Sequence, residues 1–114
     1  MQYMLMVCDG RTHSAGPDEI DADPEFERWT QDVAKRGATR RGILLRPASE
    51  AVTVRVRGGE LLLTDGPFAE TREQIGGLEL VECADLDEAI EVASGHPANR
   101  EYPIEIRPFW QWED

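Results

Sequence analysis

The chain has 114 residues, of which 40% are apolar and 31% are charged, a composition typical of one globular domain rather than a disordered tail or a membrane protein. Its formal net charge of −11 at pH 7 argues against nucleic acid as a partner, because the phosphates would be repelled by most of the surface. No apolar run approaches the ~20 residues that span a bilayer, and the N-terminus lacks a signal-peptide pattern, so we expect a cytoplasmic protein without membrane contact.

The first third of the chain predicts a strand, a loop and a helix. Residues 2–8 are apolar on both alternating faces, as in a central strand. Residues 9–22 are rich in Gly, Asp and Pro and predict a surface loop. Asp23 as the N-cap and Pro24 as the first helical residue predict a helix start, and Gly37 predicts its end. The predicted apolar face of this helix consists of Phe26, Trp29, Val33 and Ala34.

The middle of the chain predicts a strand and then a hairpin. Residues 42–45 form an apolar run that Pro47 ends. Valines alternate with polar residues over 52–57, and Gly58 and Gly59 turn the chain into a second strand over 61–64.

The last third predicts a strand at 78–83, a helix and a final strand from Tyr102 to Pro108. Asp85 and Glu88 stand at capping-box spacing at the start of the helix. The predicted apolar face of this helix consists of Leu86, Ala89, Ile90 and Ala93.

This order predicts a single α+β domain over residues 1–114, of the ferredoxin-like split βαββαβ type with an inserted β-hairpin. Two helices can cover only one face of the sheet. Because the first strand is apolar on both faces, we expect the second face to pack against a second copy, giving a homodimer with stacked sheets.

The basic residues are concentrated in one segment. Residues 35–57 contain seven basic residues and one acid, Glu50. This segment is either a solvated face that pairs with acidic neighbours or a patch for a small anionic molecule or an acidic protein partner.

A short segment rich in turn-forming, aromatic and acidic residues lies at the end of the hairpin. Asp65, Gly66 and Pro67 end a strand abruptly, and Phe68 and Glu70 follow. One interpretation is a pocket wall in which Asp65 or Glu70 acts as a general base. The other is a turn closed by the aspartate, with a packed phenylalanine.

The chain contains two histidines and two cysteines. His96 follows the second helix, where it is a catalytic candidate or a positively charged cap of the helix end, and His13 lies in the predicted loop. Cys8 and Cys83 are expected to be buried in strands. These residues match no zinc spacing, and no glycine-rich phosphate loop is present, so the sequence predicts no metal and no cofactor.

The stretch DGPFAETREQIGGLELVECADLDEAIEVA resembles the signature of the DGPF-domain proteins within the YCII-related family, and IEIRP near the C-terminus resembles the family's ending. The resemblance implies a dimeric α/β barrel. DGPF-type members are often encoded beside sigma factors of the extracytoplasmic-function class, which implies a signalling role. The family's site residues correspond here to Asp65, Gly66, Pro67, Phe68, Glu70, Thr71, Glu73 and Arg107. YCII proteins proper carry a histidine in the first helix, and residues 24–36 contain none.

Two functions are therefore expected. The first is a dimeric ligand-binding or regulatory protein with a cleft beside Asp65 and Phe68. The second is a cofactor-independent small-molecule enzyme that uses Asp65 or Glu70 as acid and base and Arg107 to hold an anionic group. The aromatic tail of Phe109, Trp110 and Trp112 is expected to pack either on its own chain or on the other subunit.

Overall fold

A computed structural model describes residues 1–8, 16–66 and 75–110. The chain is an α+β domain with a ferredoxin-like arrangement of its main sheet. The strands are β1 (Gln2–Cys8), β2 (Thr39–Leu44), β3 (Val52–Arg57), β4 (Glu60–Asp65), β5 (Ile75–Glu82) and β6 (Ile104–Pro108). The α-helices are α1 (Pro17–Ala22), α2 (Pro24–Lys35) and α3 (Leu86–Gly95), and short 3-10 helices span Ala48–Glu50 and Pro97–Arg100.

The main sheet is antiparallel throughout and has the strand order β2-β5-β1-β6. The two central strands, β5 and β1, are flanked by β2 and β6. Glu79 of β5 lies opposite Leu5 of β1 on one side and opposite Gly42 of β2 on the other. Directly opposed residues point to the same face, so this carboxylate points to the same side as Leu5.

Helices α2 and α3 cover one face of the sheet. The least exposed side chains there are Leu5, Val33 and Val81. Trp29 of α2 is buried, and its indole Nε1–H donates a 2.8 Å hydrogen bond to the carbonyl oxygen of Val92 in α3. This bond satisfies a buried indole N–H and fixes the two helices relative to each other. The other face carries Met4, Met6, Leu78 and Leu80, which are half-buried.

Strands β3 and β4 form a separate two-stranded sheet. Gly58 and Gly59 have φ angles of 58° and 81°, so the turn has the left-handed conformation that a tight hairpin requires. Val54 lies opposite Leu63 and Val56 opposite Leu61, and these four side chains are 60–67% exposed. One face of this hairpin is therefore apolar and is not covered by the described part of the chain, and we call it the hairpin apolar face.

Several boundaries differ from the sequence prediction: the strand predicted at 78–83 is β5, which begins at Ile75, and the strand predicted from Tyr102 is β6, which begins at Ile104. Two further differences have a local reason. Residues 17–22, predicted as loop, form α1, because Pro17 occupies a first-turn position where its missing N–H costs nothing. Strand β2 begins at Thr39 rather than at residue 42, because Arg40 and Arg41 pair with Val81 and Leu80 of β5. The sequence prediction left these two arginines out of the strand because they are charged.

The predicted helix caps are present. Asp23 accepts a hydrogen bond from the backbone N–H of Glu25 (2.9 Å), and Gly37 adopts a φ of 79° after α2. Asp85 accepts from the N–H of Glu88 (2.9 Å), while the Glu88 carboxylate accepts from the N–H of Ala84 (3.0 Å). In the usual capping box the glutamate accepts from the N–H of the N-cap residue itself. Here Glu88 accepts instead from Ala84, the residue before the N-cap.

The apolar face predicted for the second helix is partly wrong. Ala89 and Ala93 are buried as predicted, together with Val92, but Leu86 and Ile90 are 49% and 46% exposed. The small alanine side chains allow the helix to lie close to the sheet, which turns the larger Leu86 and Ile90 towards its flank. In α2, Trp29 and Val33 are buried and Phe26 is half-buried, whereas Ala34 is exposed.

Candidate functional site

A cavity of about 480 Å³ lies beside the helix-covered face of the sheet, where β5, β2, the start of α2 and the second 3-10 helix meet. Its lining combines apolar side chains with charged groups, both inside the cavity and around its rim. The residues that matter for its chemistry are Phe26, Arg40, Gly42, Glu79 and His96. Small-molecule sites commonly combine apolar walls with convergent polar groups.

Glu79 and Arg40 form a two-point ion pair in the cavity wall. Arg40 Nε donates to Glu79 Oε2 at 3.0 Å, and Arg40 Nη2 donates to Oε1 at 3.2 Å. The glutamate is 5% exposed. The guanidinium also lies over the rings of Phe26 and Trp29, at 5.2 and 5.4 Å from their centroids. The pair is thus held in one geometry by both hydrogen bonds and cation–π contacts.

Gly42 provides the space for this ion pair. A Cβ atom at position 42 would lie 2.6 Å from Arg40 Nη2 and 3.0 and 3.1 Å from the two carboxylate oxygens of Glu79. Any side chain there would displace the guanidinium. The absence of a side chain on β2 at this point therefore lets the arginine reach across to β5.

His96 is neutral and has a defined tautomer. It ends α3 and begins the second 3-10 helix, where its Nδ1 accepts a 3.1 Å hydrogen bond from the N–H of Ala98. Because Nδ1 accepts, the proton of the neutral ring is on Nε2. Burial lowers the pKa of His96 to about 4, and the neighbouring positive charge of Arg40 acts in the same direction. The ring packs edge-on against Trp29, with 4.5 Å between the centroids.

The protonated nitrogen of His96 lies next to the ion pair without bonding to it. Nε2 is 4.0 Å from Glu79 Oε1, which is too long for a hydrogen bond. Within the described ranges, Nε2 has no hydrogen-bond acceptor, although the residue is only 8% exposed. The cavity therefore presents a fixed N–H donor and a fixed carboxylate acceptor side by side.

The model of the YCII-related domain matches residues 1–113 of the chain. The chain belongs to the YCII-related family. It is also 44% identical over 68 residues to an uncharacterised protein of Rhizobium meliloti, an alignment covering 56% of this chain. The matched region spans about half of that relative, 53% of its length. The family resemblance predicted from the sequence is confirmed.

The structure places the sequence-predicted site residues in three regions. His96 lines the cavity. Asp65 is exposed at the end of β4, and Gly66 follows it with a φ of 100° and an N–H that donates to the carbonyl of Ala51 (2.7 Å). Arg107 is exposed on β6, where it donates to Glu105 at 2.7 Å. The remaining predicted site residues lie outside the described residues: Pro67, Phe68, Glu70, Thr71 and Glu73.

Asp65, Gly66 and Arg107 do not line the cavity that contains His96. The charged cap predicted for His96 is wrong, because burial keeps the imidazole neutral, and the side chain caps the following 3-10 helix instead of the preceding one. Cys83 is buried as expected, and burial raises its thiol pKa.

Sequence reasoning missed Glu79, Arg40 and Gly42. The signal for Glu79 was a carboxylate at an alternating position between Leu78 and Leu80, inside an otherwise apolar strand. Arg40 was counted only as part of the basic segment. In that segment Arg36 pairs with Glu91 and Arg46 with Glu50, as the solvated-face interpretation expects.

Across the part of the chain that the structure describes, no three side chains of His, Cys, Asp or Glu come together as a metal site would require. No helix there is long and apolar enough to cross a membrane.

Proposed function

We propose that this protein binds a small molecule in the cavity and recognises it through the Arg40–Glu79–His96 group. The observation that carries the proposal is a partly buried ion pair beside His96, whose Nε2 has no hydrogen-bond acceptor among the described residues, with all three residues lining one accessible cavity. A partly buried ion pair contributes little net stability, so stability alone does not account for this arrangement. A bound ligand that accepts from Nε2 would supply the hydrogen bond that the described residues do not.

The binding protein is proposed to be a homodimer of the dimeric α/β-barrel type, with the hairpin as an insertion that contributes to the interface. The hairpin apolar face supports this, because monomeric proteins seldom leave a contiguous apolar surface uncovered. Trp110, 89% exposed after β6, is a second large apolar group that the described residues leave uncovered. Burying a large apolar side chain contributes about 1.5–3 kcal/mol.

A second candidate function is a cofactor-independent enzyme acting in the same cavity. The specific observation in its favour is that neutral His96 can donate a hydrogen bond to an oxygen atom while Glu79 accepts a proton beside it. Pairs of titratable groups with opposite roles are characteristic of acid–base sites. Turnover of a bound compound that is abolished in Glu79→Gln would distinguish the enzyme from the binding protein.

The test is a thermal-shift screen of the wild-type protein against small metabolites, repeated on two variants. His96→Asn keeps an acceptor for the N–H of Ala98 but removes the Nε2 donor. Asp65→Asn changes the site predicted from the sequence. A ligand at 100 times its dissociation constant adds about 2.7 kcal/mol to the free energy of unfolding.

A hit that persists in Asp65→Asn and vanishes in His96→Asn supports the cavity. A hit that depends on Asp65 instead moves the site to the turn after β4 and contradicts the proposal. If no compound binds, the regulatory role that the family resemblance implies, with a protein as partner, becomes the better proposal.

A further inference from the structure

We infer that the cavity selects a small alcohol that also carries a protonated amine, with a hydroxyl group between His96 and Glu79 and the ammonium group at an acidic rim. This inference rests on the proposed function and names the ligand class of the same cavity.

The floor of the cavity matches a hydroxyl group. An oxygen about 2.8 Å from both His96 Nε2 and Glu79 Oε1 is compatible with their 4.0 Å separation. Such an oxygen must accept from the imidazole N–H and donate to the carboxylate, which a hydroxyl does and a carbonyl does not. A ligand carboxylate would instead face the negative charge of Glu79, which has no room to turn away because Arg40 holds both its oxygens.

The rim of the cavity is negatively charged. The carboxylates that line it, besides Glu79, are Glu19, Asp21, Asp23, Glu25 and Glu101. Its two cations are already engaged, Arg40 by Glu79 and Arg100 by Glu25. Glu19, Asp21 and Glu101 have no cationic partner among the residues described, and all three are exposed. The negative potential of the rim attracts a cation and repels an anion. The net charge of the chain, −11, acts in the same direction.

The acidic rim alone would indicate only a solvated surface. The independent feature that indicates a ligand is His96, a residue 8% exposed that lines the same cavity and whose Nε2 has no hydrogen-bond acceptor among the described residues. Together they specify opposite ends of one molecule: a polar, uncharged hydroxyl end at the floor and a cationic end at the opening.

Three probes with the same three-carbon frame separate the possibilities: 3-amino-1,2-propanediol, glycerol and glycerate, which carry positive, zero and negative charge. Amide chemical shifts of the labelled wild-type protein are followed in a titration with each compound. We expect the amine to bind at least tenfold more tightly than glycerol, with shifts at residues around His96 and Glu79, and glycerate to bind most weakly.

Two kinds of variant test where in the cavity the three probes bind. Glu79→Gln should abolish binding of all three probes, whereas Glu105→Gln, outside the cavity, should not. Because Glu79 is buried, its variant can fail to fold, so the exposed rim pair Glu19→Gln and Asp21→Asn provides the second test. That double variant should weaken the amine several-fold and leave glycerol unchanged.

A preference for glycerate at the cavity would overturn the inferred ligand class and leave the proposed binding function intact. Equal affinity for the amine and glycerol would overturn the role of the rim. If none of the three probes shifts cavity residues, the ligand class is wrong, and the metabolite screen separately decides whether the cavity binds another compound.

Discussion

Burial determines the charge of His96. An imidazole in water is half-protonated near pH 6.5, but this ring is 8% exposed and lies close to the guanidinium of Arg40, so its pKa falls to about 4. A neutral ring with a fixed tautomer donates from Nε2 over the whole physiological range. The site thus holds the same hydrogen-bonding pattern while the pH of its surroundings varies.

The shift in pKa predicts how stability depends on pH. The folded-state pKa of His96 lies below that of the unfolded chain, so between about pH 4 and 6.5 the unfolded state binds more protons. The contribution of His96 is fully present above about pH 6.5 and is lost as the pH falls through this window, by roughly 3 kcal/mol in total. Urea unfolding at several pH values measures it.

His96→Asn should flatten the loss of stability between pH 6.5 and 4. His13→Gln removes the other histidine of the chain and is the matched control, in which the loss caused by His96 should remain. An unchanged pH dependence in His96→Asn would show that the imidazole is not held neutral.

Gly42 offers a test of the ion pair that does not alter any charge. In Gly42→Ala the new methyl group meets Arg40 Nη2, which has to move away from Glu79. We expect the free energy of unfolding to fall by about 3 kcal/mol if the buried carboxylate is left unpaired, and ligand binding to be lost. Chemical denaturation and the thermal-shift screen measure the two effects.

Gly77→Ala is the control for this change. Gly77 also lines the cavity, but a Cβ there meets its nearest neighbours at 3.7 and 4.0 Å, which is ordinary contact. It should cost much less stability than Gly42→Ala. Equal costs for the two variants would mean that the lost glycine flexibility, and not the ion pair, is responsible.

At the scale of elements, the sequence predicts most of the main sheet and both long helices because local signals determine them. The caps at Asp23 and Asp85 and the glycine turn at residues 58 and 59 act within a few residues, and each is present as predicted. The ion pair of Arg40 and Glu79 could not be predicted in this way. It forms between strands 39 residues apart, and only the pairing of β2 with β5 brings them together.

The capping box of α3 predicts a measurable local effect. Asp85→Ala removes the oxygen that accepts from the N–H of Glu88, and we expect a loss of about 1 kcal/mol in the free energy of unfolding. Asp87 lies two residues later in the first turn and is not the N-cap. Asp87→Ala therefore removes only a favourable charge and should cost only a few tenths of a kcal/mol. Urea denaturation distinguishes them, and equal losses would show that charge near the helix end outweighs the cap.

The whole molecule is less compact than its length predicts. The radius of gyration is 16.1 Å, whereas a globular domain of this size has about 13 Å. The hairpin of β3 and β4 accounts for part of this difference, since it forms its own sheet and leaves valine and leucine side chains more than half exposed. A surface of this kind is what the proposed homodimer would cover.

Adjacent residues of β4 on opposite faces of the hairpin provide a direct test of that dimer. Leu63 lies on the hairpin apolar face opposite Val54, and Thr64 points to the other side opposite Thr53. Leu63→Lys introduces a charge into the proposed interface and should convert the protein to monomers in sedimentation-velocity measurements. Thr64→Lys adds the same charge one residue away and should leave the dimer intact. If the wild-type protein sediments as a monomer, or if both variants remain dimeric, the hairpin apolar face is not the interface between subunits.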